Sequence, residues 1–275
     1  MKKRAGLVEK IAELPFIREK IVAARTKAAN KLRVGIAKAK TFEEYARLRF
    51  HKQYFREKFD PRSNSKLLAR NSVYGTAEGR DPKKRIKAMT LSYYYSENPE
   101  VMINNHGLVG NVLKQIEKEN TGAIYAASIG AGELSHEVWF KKEHPRLAIH
   151  AVDPYNEIRR RGMRTMELVN QKVDYFGEGN FSNPDLPRAK YDLVYSFDAF
   201  HWVEGTAAQK EALDKMCSLV QKGGHLVISY IPNYSGVENP MPPKVIESYV
   251  ASKGFAFGSL QDIGHARTGL HFVKK

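Results

Sequence analysis

The sequence contains very little cysteine and no long apolar run. Its 275 residues include one cysteine, Cys217, which excludes an internal disulfide and a cysteine-cluster metal site and indicates a reducing compartment such as the cytoplasm. No stretch approaches the roughly 18 consecutive apolar residues of a membrane-spanning helix. The N-terminus lacks the apolar segment of a secretory signal, and Glu9, Glu13 and Glu19 argue against an organellar transit peptide, which is poor in acids.

Histidine and cysteine also lack the spacing of a metal site. His106, His136, His144 and His150 are scattered singly, so we expect no bound metal. Cys217 lies among the apolar positions of a predicted amphipathic helix, which indicates a core residue rather than a catalytic nucleophile.

The charge is distributed unevenly along the chain. Residues 1–90 carry 25 Lys and Arg against 9 Asp and Glu, a formal charge of +16, whereas the rest of the chain carries 20 against 21. Such a segment indicates a polyanionic partner, either nucleic acid or, less favoured, an anionic membrane surface. The alternative is a solvated basic extension without a dedicated partner. We predict a basic helical N-terminal extension over residues 1–90 and a folded domain over residues 91–275.

The N-terminal extension has apolar positions at helical spacing. Residues 7–33 predict a basic amphipathic helix interrupted at Pro15, and the capping-box pattern from Thr41 to Glu44 predicts a second helix that begins near residue 42. Residues 60–88 are rich in turn formers and predict a linker. The apolar stripe of the second helix, which alternates with Arg and Lys, consists of Phe42, Tyr45, Leu48, Phe55 and Phe59.

The rest of the chain alternates short apolar runs with helical stretches. A helix is predicted from Asn98 as cap and Pro99 in the first turn to about Gly122. The apolar runs that follow lie at 124–129, 147–152, 191–196 and 225–231, and a weaker run lies at 172–176. This alternation predicts an α/β fold with a mostly parallel sheet and helices on both faces.

The C-terminal end departs from this alternation. Two strand-like runs, 255–263 and 269–275, have a polar turn but no helix between them, which predicts an antiparallel hairpin at the sheet edge. The sheet is therefore expected to have seven strands.

The segment IYAASIGAGELSHE, residues 124–137, predicts a ligand site. A buried strand leads into a tight turn at Gly130 to Gly132, and a helix is expected from Glu133 onward, so that backbone N–H groups face a ligand. Asp153 ends the next apolar run, where its carboxylate can accept hydrogen bonds from both hydroxyls of a ribose. Dinucleotide enzymes share this spacing, so it does not identify the ligand by itself.

Five short motifs in this order resemble those of the class I S-adenosylmethionine-dependent methyltransferases. They are SIGAGEL, the acid at Asp153, FGEGNF, YDLVYSFDAFHWVE and VQKGGHLVIS. The resemblance covers residues from about 95 to 275 and implies S-adenosylmethionine as the cofactor. The terminal hairpin agrees with this family, whereas a dinucleotide fold would need a second mononucleotide-binding half.

The resemblance also implies which residues bind the cofactor, in groups at its methionine part, ribose, adenine and sulfonium. In that order they are Ser128, Gly130, Ala131 and Gly132; Asp153 and Pro154; Glu178, Gly179 and Asn180; and Ser196, Phe197 and Asp198. Two positions depart from the family pattern, since Ser128 replaces the usual acid and Leu134 the usual third glycine. A catalytically inactive member that binds RNA or assists assembly therefore stays an alternative.

His201, which follows the fourth motif's strand, is the candidate catalytic residue. Its ordinary pKa of about 6.5 suits removal of a proton from an acceptor oxygen or nitrogen near neutral pH. The alternative is that His201 hydrogen-bonds the backbone and shapes the pocket while Trp202 packs. Because methyl transfer needs mainly alignment of the reacting atoms, few catalytic residues are expected.

Two classes of acceptor fit the sequence. The basic extension with its interleaved aromatics favours RNA, through phosphate contacts and base stacking. The alternative is a small molecule methylated on oxygen or nitrogen, with the N-terminal helices roofing its pocket and the aromatic stripe packed on the domain. Family motifs for methylation of exocyclic base amines and of ribose are both absent from the sequence.

Overall fold

The computed structural model of the protein describes residues 33–49, 99–232, 241–264 and 266–275, and residues 23, 26–27 and 30–31 before them. Several predictions lie outside these residues. They concern most of the helix at 7–33, the aromatic residues Phe55 and Phe59, the linker at 60–88 and the Asn98 cap.

Seven strands form one mixed sheet in the order β3-β2-β1-β4-β5-β7-β6. The strands are β1 (Ile124–Ile129), β2 (Leu147–Val152), β3 (Tyr175–Gly177), β4 (Tyr191–Phe197), β5 (Val220–Tyr230), β6 (Phe255–Gly264) and β7 (Arg267–Lys274). The first five are parallel, whereas β7 runs antiparallel to both β5 and β6. The predicted fold class, including the C-terminal antiparallel hairpin, is confirmed.

Five α-helices of the range 99–275 cover the two faces of the sheet. They are α1 (Pro99–Glu119), α2 (Glu137–Glu143), α3 (Asn156–Val169), α4 (Thr206–Leu219) and α5 (Pro243–Ser252). One face carries a core that contains Val109 of α1 and Trp139 of α2. The other carries a core that contains Leu213 of α4 and Val250 of α5. The sheet is therefore the middle of three layers, which is why β1, β2 and β4 are almost continuously apolar.

Three boundaries differ from the predicted ones. Strand β3 begins at Tyr175 rather than near residue 172, because the Asp174 carboxylate accepts the N–H of Ile149 (2.8 Å) where the ladder would continue. Helix α1 ends at Glu119, just before the Asn120 side chain accepts the N–H of Gly122 (2.8 Å). Strand β5 begins at Val220 rather than near residue 225, and its pairing with β4 shifts register between Val220 and His225.

The helix predicted from Glu133 onward begins only at Glu137. Residues 132–136 form turns, because Leu134 has a φ of 58°, in the left-handed region that ends regular helix. The Leu134 side chain is fully buried in the core beside α1 and α2. Its burial, about 1.5–3 kcal/mol, is enough to offset the roughly 1–2 kcal/mol cost of that backbone conformation.

Residues 33–49, called here the 33–49 segment, are helical at 33–38 and 42–49. Thr41 Oγ1 accepts the N–H of Glu44 (3.2 Å), and the Glu44 carboxylate accepts the N–H of Lys40 (2.7 Å), so the predicted helix start near residue 42 is confirmed. Phe42 and Tyr45 are only 4 % and 3 % exposed and belong to the core beside α1. The described part of the aromatic stripe therefore packs on the domain.

None of the helices in the described ranges is both long and apolar enough to cross a membrane.

Candidate cofactor and acceptor site

The predicted site residues meet at one edge of the sheet. Strand β1 lies between β2 and β4, so the strand order reverses there, and the carboxyl ends of these strands border the crevice where such sheets bind ligands. The glycine turn follows β1 and Asp153 follows β2, while Glu178 follows β3 and Asp198 follows β4. Residues that are up to 70 positions apart in the sequence thus share one edge.

The glycine turn approaches its neighbours too closely for a side chain. Gly130 has a φ of 71°, and a Cβ atom there would lie 2.5 Å from the Cβ of Ala199. The N–H groups of Gly130 and Ala131 both donate to the carbonyl of Val152 (3.0 Å each). The turn is therefore fixed to the end of β2 and leaves bare backbone at the crevice, as a closely bound ligand requires.

Asp153 is a buried carboxylate that the backbone orients. Its Oδ1 accepts the N–H of Tyr155 (2.9 Å) and its Oδ2 accepts the N–H of Gly132 (3.1 Å). Burial raises the pKa of Asp153 to about 6, although both N–H donors and Arg159 act to lower it. Each oxygen keeps capacity for a further hydrogen bond, which fits the predicted contact with two ribose hydroxyls.

The adenine-side segment lies at the surface. Glu178 keeps 75 % of its side chain exposed and pairs with Arg159 (2.8 Å). The Asn180 side chain accepts the N–H of Asn183 (2.8 Å), so its oxygen shapes the local turn. Gly179 bridges to Pro184 on the other side of that turn.

The residues predicted near the sulfonium lie at the end of β4. Ser196 is fully buried, and its hydroxyl has no hydrogen-bond partner among the described residues. Phe197 packs edge-on against His136, with ring centroids 4.8 Å apart. Such an orphaned hydroxyl fits an edge built for a polar ligand.

Asp198 is the centre of a polar cluster whose other members, Asn105 and Arg267, were not predicted from the sequence. It has a φ of 51°, and its carboxylate accepts Arg267 Nε (2.7 Å) and Asn105 Nδ2 (3.3 Å). Burial raises the pKa of Asp198, while Arg267 and Asn105 lower it. Asn105 comes from the middle of α1 and Arg267 from the start of β7, so no local pattern links them to the fourth motif.

His201 is buried in the short 3₁₀ helix Phe200–Trp202 that follows β4. Burial, together with the charge of Arg267, lowers the pKa of His201 to about 3. The imidazole is therefore neutral near pH 7 and a much weaker base than its ordinary pKa of 6.5 suggests. This geometry favours the alternative role, in which His201 shapes the pocket as a hydrogen-bonding group.

A buried carboxyl group lies beside Ser128. Ser128 Oγ and Tyr195 Oη both donate to Glu137 Oε1, at 2.7 and 3.2 Å. Burial raises the pKa of Glu137 to about 7, and these two donors lower it less. Ser128 in place of the usual acid indicates that another acid could serve nearby, but no sequence motif identifies Glu137 as that acid.

The 33–49 segment is attached to the loop that follows the glycine turn. Arg49 pairs with the buried carboxylate of Glu133 (2.8 Å), and Arg161 of α3 approaches the same carboxylate (3.4 Å). Tyr45 Oη donates to Ser135 Oγ (3.3 Å). The segment thus covers the side of the site on which the methionine part of the cofactor is predicted.

Cys217 is buried in α4, and burial raises the pKa of its thiol to about 12. This confirms its predicted core position. Over the part of the chain that the structure describes, no three His, Cys, Asp or Glu side chains are grouped so that they could hold a metal ion.

Comparison with known proteins agrees with this arrangement. Residues 127–228 match a family described as a methyltransferase domain. No curated protein sequence is significantly similar to the chain.

Solved structures share the fold at low sequence identity. Magnesium protoporphyrin IX methyltransferase (ChlM) from Synechocystis PCC 6803 with bound SAH has a TM-score of 0.53 and 14 % identity, over 77 % of this chain and all of that one. An O-methyltransferase family protein from Burkholderia thailandensis has a TM-score of 0.55 and 15 % identity, over 84 % and 72 %. A putative sarcosine dimethylglycine methyltransferase from Galdieria sulphuraria has a TM-score of 0.52 and 10 % identity, over 63 % and 86 %.

Proposed function

We propose that the chain, which carries a class I S-adenosylmethionine-dependent methyltransferase domain, methylates an oxygen or nitrogen of a small molecule. The observation that carries the proposal is the position of the 33–49 segment. Its aromatic residues Phe42 and Tyr45 are buried against the domain, where they cannot stack on RNA bases. Phe42 instead stacks on His106 of α1 (3.7 Å between ring centroids), and α1 in turn reaches Asp198 through Asn105.

These contacts enclose the acceptor edge on the side of α1. Asn105 and Arg267 are both buried and both contact Asp198, so the polar cluster lies inside the protein rather than on an open surface. A polar cluster that is largely inside the protein suits contact with a small acceptor better than contact with an extended polymer. ChlM, whose fold is similar, is named for a small-molecule acceptor, magnesium protoporphyrin IX.

The cofactor, when bound, supplies an electrophilic methyl group on a sulfonium. We assign its ribose to Asp153, its methionine part to the backbone at Gly130 to Gly132, and the reacting end to Ser196 to Asp198. The close packing of Gly130 and the orphaned Ser196 hydroxyl support this assignment. The protein contributes mainly alignment, which in well-ordered reactions is worth roughly 7–11 kcal/mol.

The acceptor loses one proton for each methyl group that it gains. Asp198 is the carboxylate that follows β4 at this edge of the sheet, and its burial raises its pKa, which makes it a better proton acceptor than an exposed aspartate. Arg267 and Asn105 hold the carboxylate in position. We assign proton removal to Asp198 and orientation of the acceptor to the neutral imidazole of His201.

A labelling experiment tests the proposal. The purified protein is incubated with S-adenosylmethionine labelled on the methyl group and with a cell extract that has been separated into small molecules and RNA. We expect the label in the small-molecule fraction, and much less of it there with Asp153→Ala. Label in the RNA fraction alone contradicts the proposal.

RNA is the second candidate because several exposed residues between positions 27 and 40 are basic. They include Lys27, Lys31, Arg33, Lys38 and Lys40. Deletion of residues 1–90 does not test this candidate cleanly, since it also removes the buried residues Phe42, Tyr45 and Ala46. Neutralising substitutions retain the core and separate the two effects.

The variant Lys27→Gln/Lys31→Gln/Arg33→Gln/Lys38→Gln is the appropriate test. If RNA is the acceptor, the wild type binds it with an affinity that falls steeply between 50 and 200 mM salt, and the variant shows a smaller salt slope. If a small molecule is the acceptor, methyl transfer to it is the same in the variant and the wild type.

A further inference from the structure

We propose that Glu137 supplies the acidic group that the glycine motif lacks at position 128, and that its carboxylate binds the ammonium group of the cofactor's methionine part. The inference rests on the proposed cofactor site and names a residue that no motif assigns to it. It also explains how a chain with Ser128 in place of the usual acid can bind the cofactor.

Contacts on three elements place this carboxyl group. Glu137 is the first residue of α2, Ser128 lies near the end of β1, and Tyr195 lies on β4. Both hydroxyl groups donate to the same oxygen, Oε1 (2.7 and 3.2 Å). The Ser128 hydroxyl therefore orients a carboxyl group that comes from α2, where the family pattern would have an acid on β1 itself.

The second oxygen of Glu137 has no side-chain partner, and only the nearby backbone N–H groups of His136 and Glu137 add to the two hydroxyls in lowering the pKa of the carboxyl group. Oε2 is buried and has no hydrogen-bond partner among the described residues. A buried carboxylate oxygen without a donor is costly, and native proteins retain few such atoms. Oε2 is therefore the atom that a donor on a ligand can satisfy.

A cation is the ligand group that suits this surrounding. The groups that act on the carboxyl group are the neutral hydroxyls of Ser128 and Tyr195 and the backbone N–H groups of Glu137 and His136, none of which carries a charge. No Lys or Arg of the described residues forms an ion pair with Glu137. An ammonium group brings both a positive charge and N–H donors, and so stabilises the ionised carboxylate.

Glu137 is also close to the right part of the site. Ser128, which contacts it, precedes Gly130 by two residues, and Glu137 itself follows Gly132 by five. The carboxyl group thus contacts the strand that leads into the turn whose backbone we assign to the methionine part of the cofactor. The ribose carboxylate, Asp153, contacts the opposite side of this turn through the N–H of Gly132.

Two ligands that differ only in the amino-acid part distinguish this role from a structural one. SAH contains the ammonium group, whereas 5′-methylthioadenosine contains the nucleoside and the sulfur without it. For Glu137→Gln at pH 8, calorimetry should show SAH binding weakened roughly 10–100-fold, the worth of a charge-assisted hydrogen bond, and methylthioadenosine binding unchanged. An equal loss for both ligands, or no loss for SAH, overturns the inference.

Three further variants control the experiment. Glu143→Gln removes a carboxylate from the same helix that pairs with His106, and should bind SAH as the wild type does. Ser128→Asp/Glu137→Gln returns an acid to the family's position and should recover SAH affinity at least in part. Glu137→Asp keeps the charge but withdraws it by one methylene, and replaces Glu137→Gln if that variant does not fold.

The outcomes separate this inference from the proposed function. A folded wild type that binds neither SAH nor methylthioadenosine contradicts both. A wild type that binds SAH, with Glu137→Gln binding it equally well, contradicts only the role of Glu137.

Discussion

The two halves of the proposed site, called here the donor side and the acceptor side after the roles that we propose for them, are built in different ways. On the donor side, at the ends of β1 and β2, Asp153 is held by backbone N–H groups of Gly132 and Tyr155, which lie in the two adjoining loops. On the acceptor side, at the end of β4, Asp198 is held by side chains that are 93 and 69 positions away in the sequence, Asn105 and Arg267.

This difference decides how each half responds to change. Backbone hydrogen bonds depend on the path of the chain, so most side-chain substitutions near Asp153 should leave its position unchanged. A buried ion pair depends on both side chains, because the loss of one leaves the other charged and unpaired. The acceptor side should therefore lose stability as well as function.

The largest effect is expected for Arg267→Met. It leaves the Asp198 carboxylate without its cation, and should lower the free energy of unfolding by about 3 kcal/mol, at the lower end for buried pairs because the Asp198 side chain keeps 19 % exposure. Urea denaturation measures this loss. The double variant Asp198→Asn/Arg267→Met should recover part of the stability. If Arg267→Met is as stable as the wild type, the Asp198–Arg267 pair does not contribute to the free energy of unfolding.

Asp153→Ala should have the next largest effect, on the donor side alone. The substitution removes the carboxylate that accepts the two proposed hydrogen bonds from the ribose hydroxyls. SAH binding should therefore weaken roughly 100-fold, with little change in fold. Because Asp153 has a pKa of about 6, wild-type affinity should also fall as the pH decreases through 6, where the carboxylate gains a proton. Calorimetry from pH 5 to 8 checks both, with the surface variant Asp214→Ala as control. Strong SAH binding by Asp153→Ala would contradict the assigned ribose contact.

Glu137 should make stability depend on pH. Its folded-state pKa of about 7 exceeds the ordinary value of 4.5, so the folded protein keeps a proton that the unfolded chain releases. This contribution to stability is fully present below pH 4.5 and is lost as the pH rises through 7. Glu137→Gln cannot titrate, so its stability relative to the wild type should increase by about 3 kcal/mol from pH 4.5 to 8 in urea denaturation. A constant difference would mean that Glu137 keeps its ordinary pKa.

Tyr45→Phe should have the smallest effect. It removes the hydrogen bond to Ser135 but keeps the ring in the core, so a loss of about 0.5–1.5 kcal/mol of stability is expected. If the 33–49 segment supports only the donor side, SAH affinity should fall slightly while the acceptor's KM is unchanged. If only the KM for the acceptor changes, the 33–49 segment supports the acceptor side instead.

Local patterns predicted the parts of the fold that depend on neighbouring residues. The bounds of β1 and β2 agree with their apolar runs, and the helix at 42–49 begins where Thr41 and Glu44 form their cap. The start of α2 was predicted too early, because helix propensity after Gly132 does not reveal that Leu134 takes a left-handed backbone to bury its side chain. There, packing overrides the local pattern.

The candidate site divides in the same way. The glycine turn and Asp153 were predicted from spacing, since a strand, a turn and a strand-end acid must meet at one sheet edge. The contacts of Asp198 with Asn105 and Arg267 could not be predicted, nor could the low pKa of His201, because both depend on burial by distant elements. The same holds for Glu137.

The sequence by itself determined the three-layer α/β architecture and the places of the glycine turn and Asp153 at the ends of β1 and β2, because apolar periodicity and short motifs act over neighbouring residues. Only the tertiary structure decided that Phe42 and Tyr45 belong to the core, that Glu137 stands beside Ser128 and that Arg267 neutralises Asp198. Burial and charge pairing depend on which distant side chains the fold brings together, and no local pattern records that.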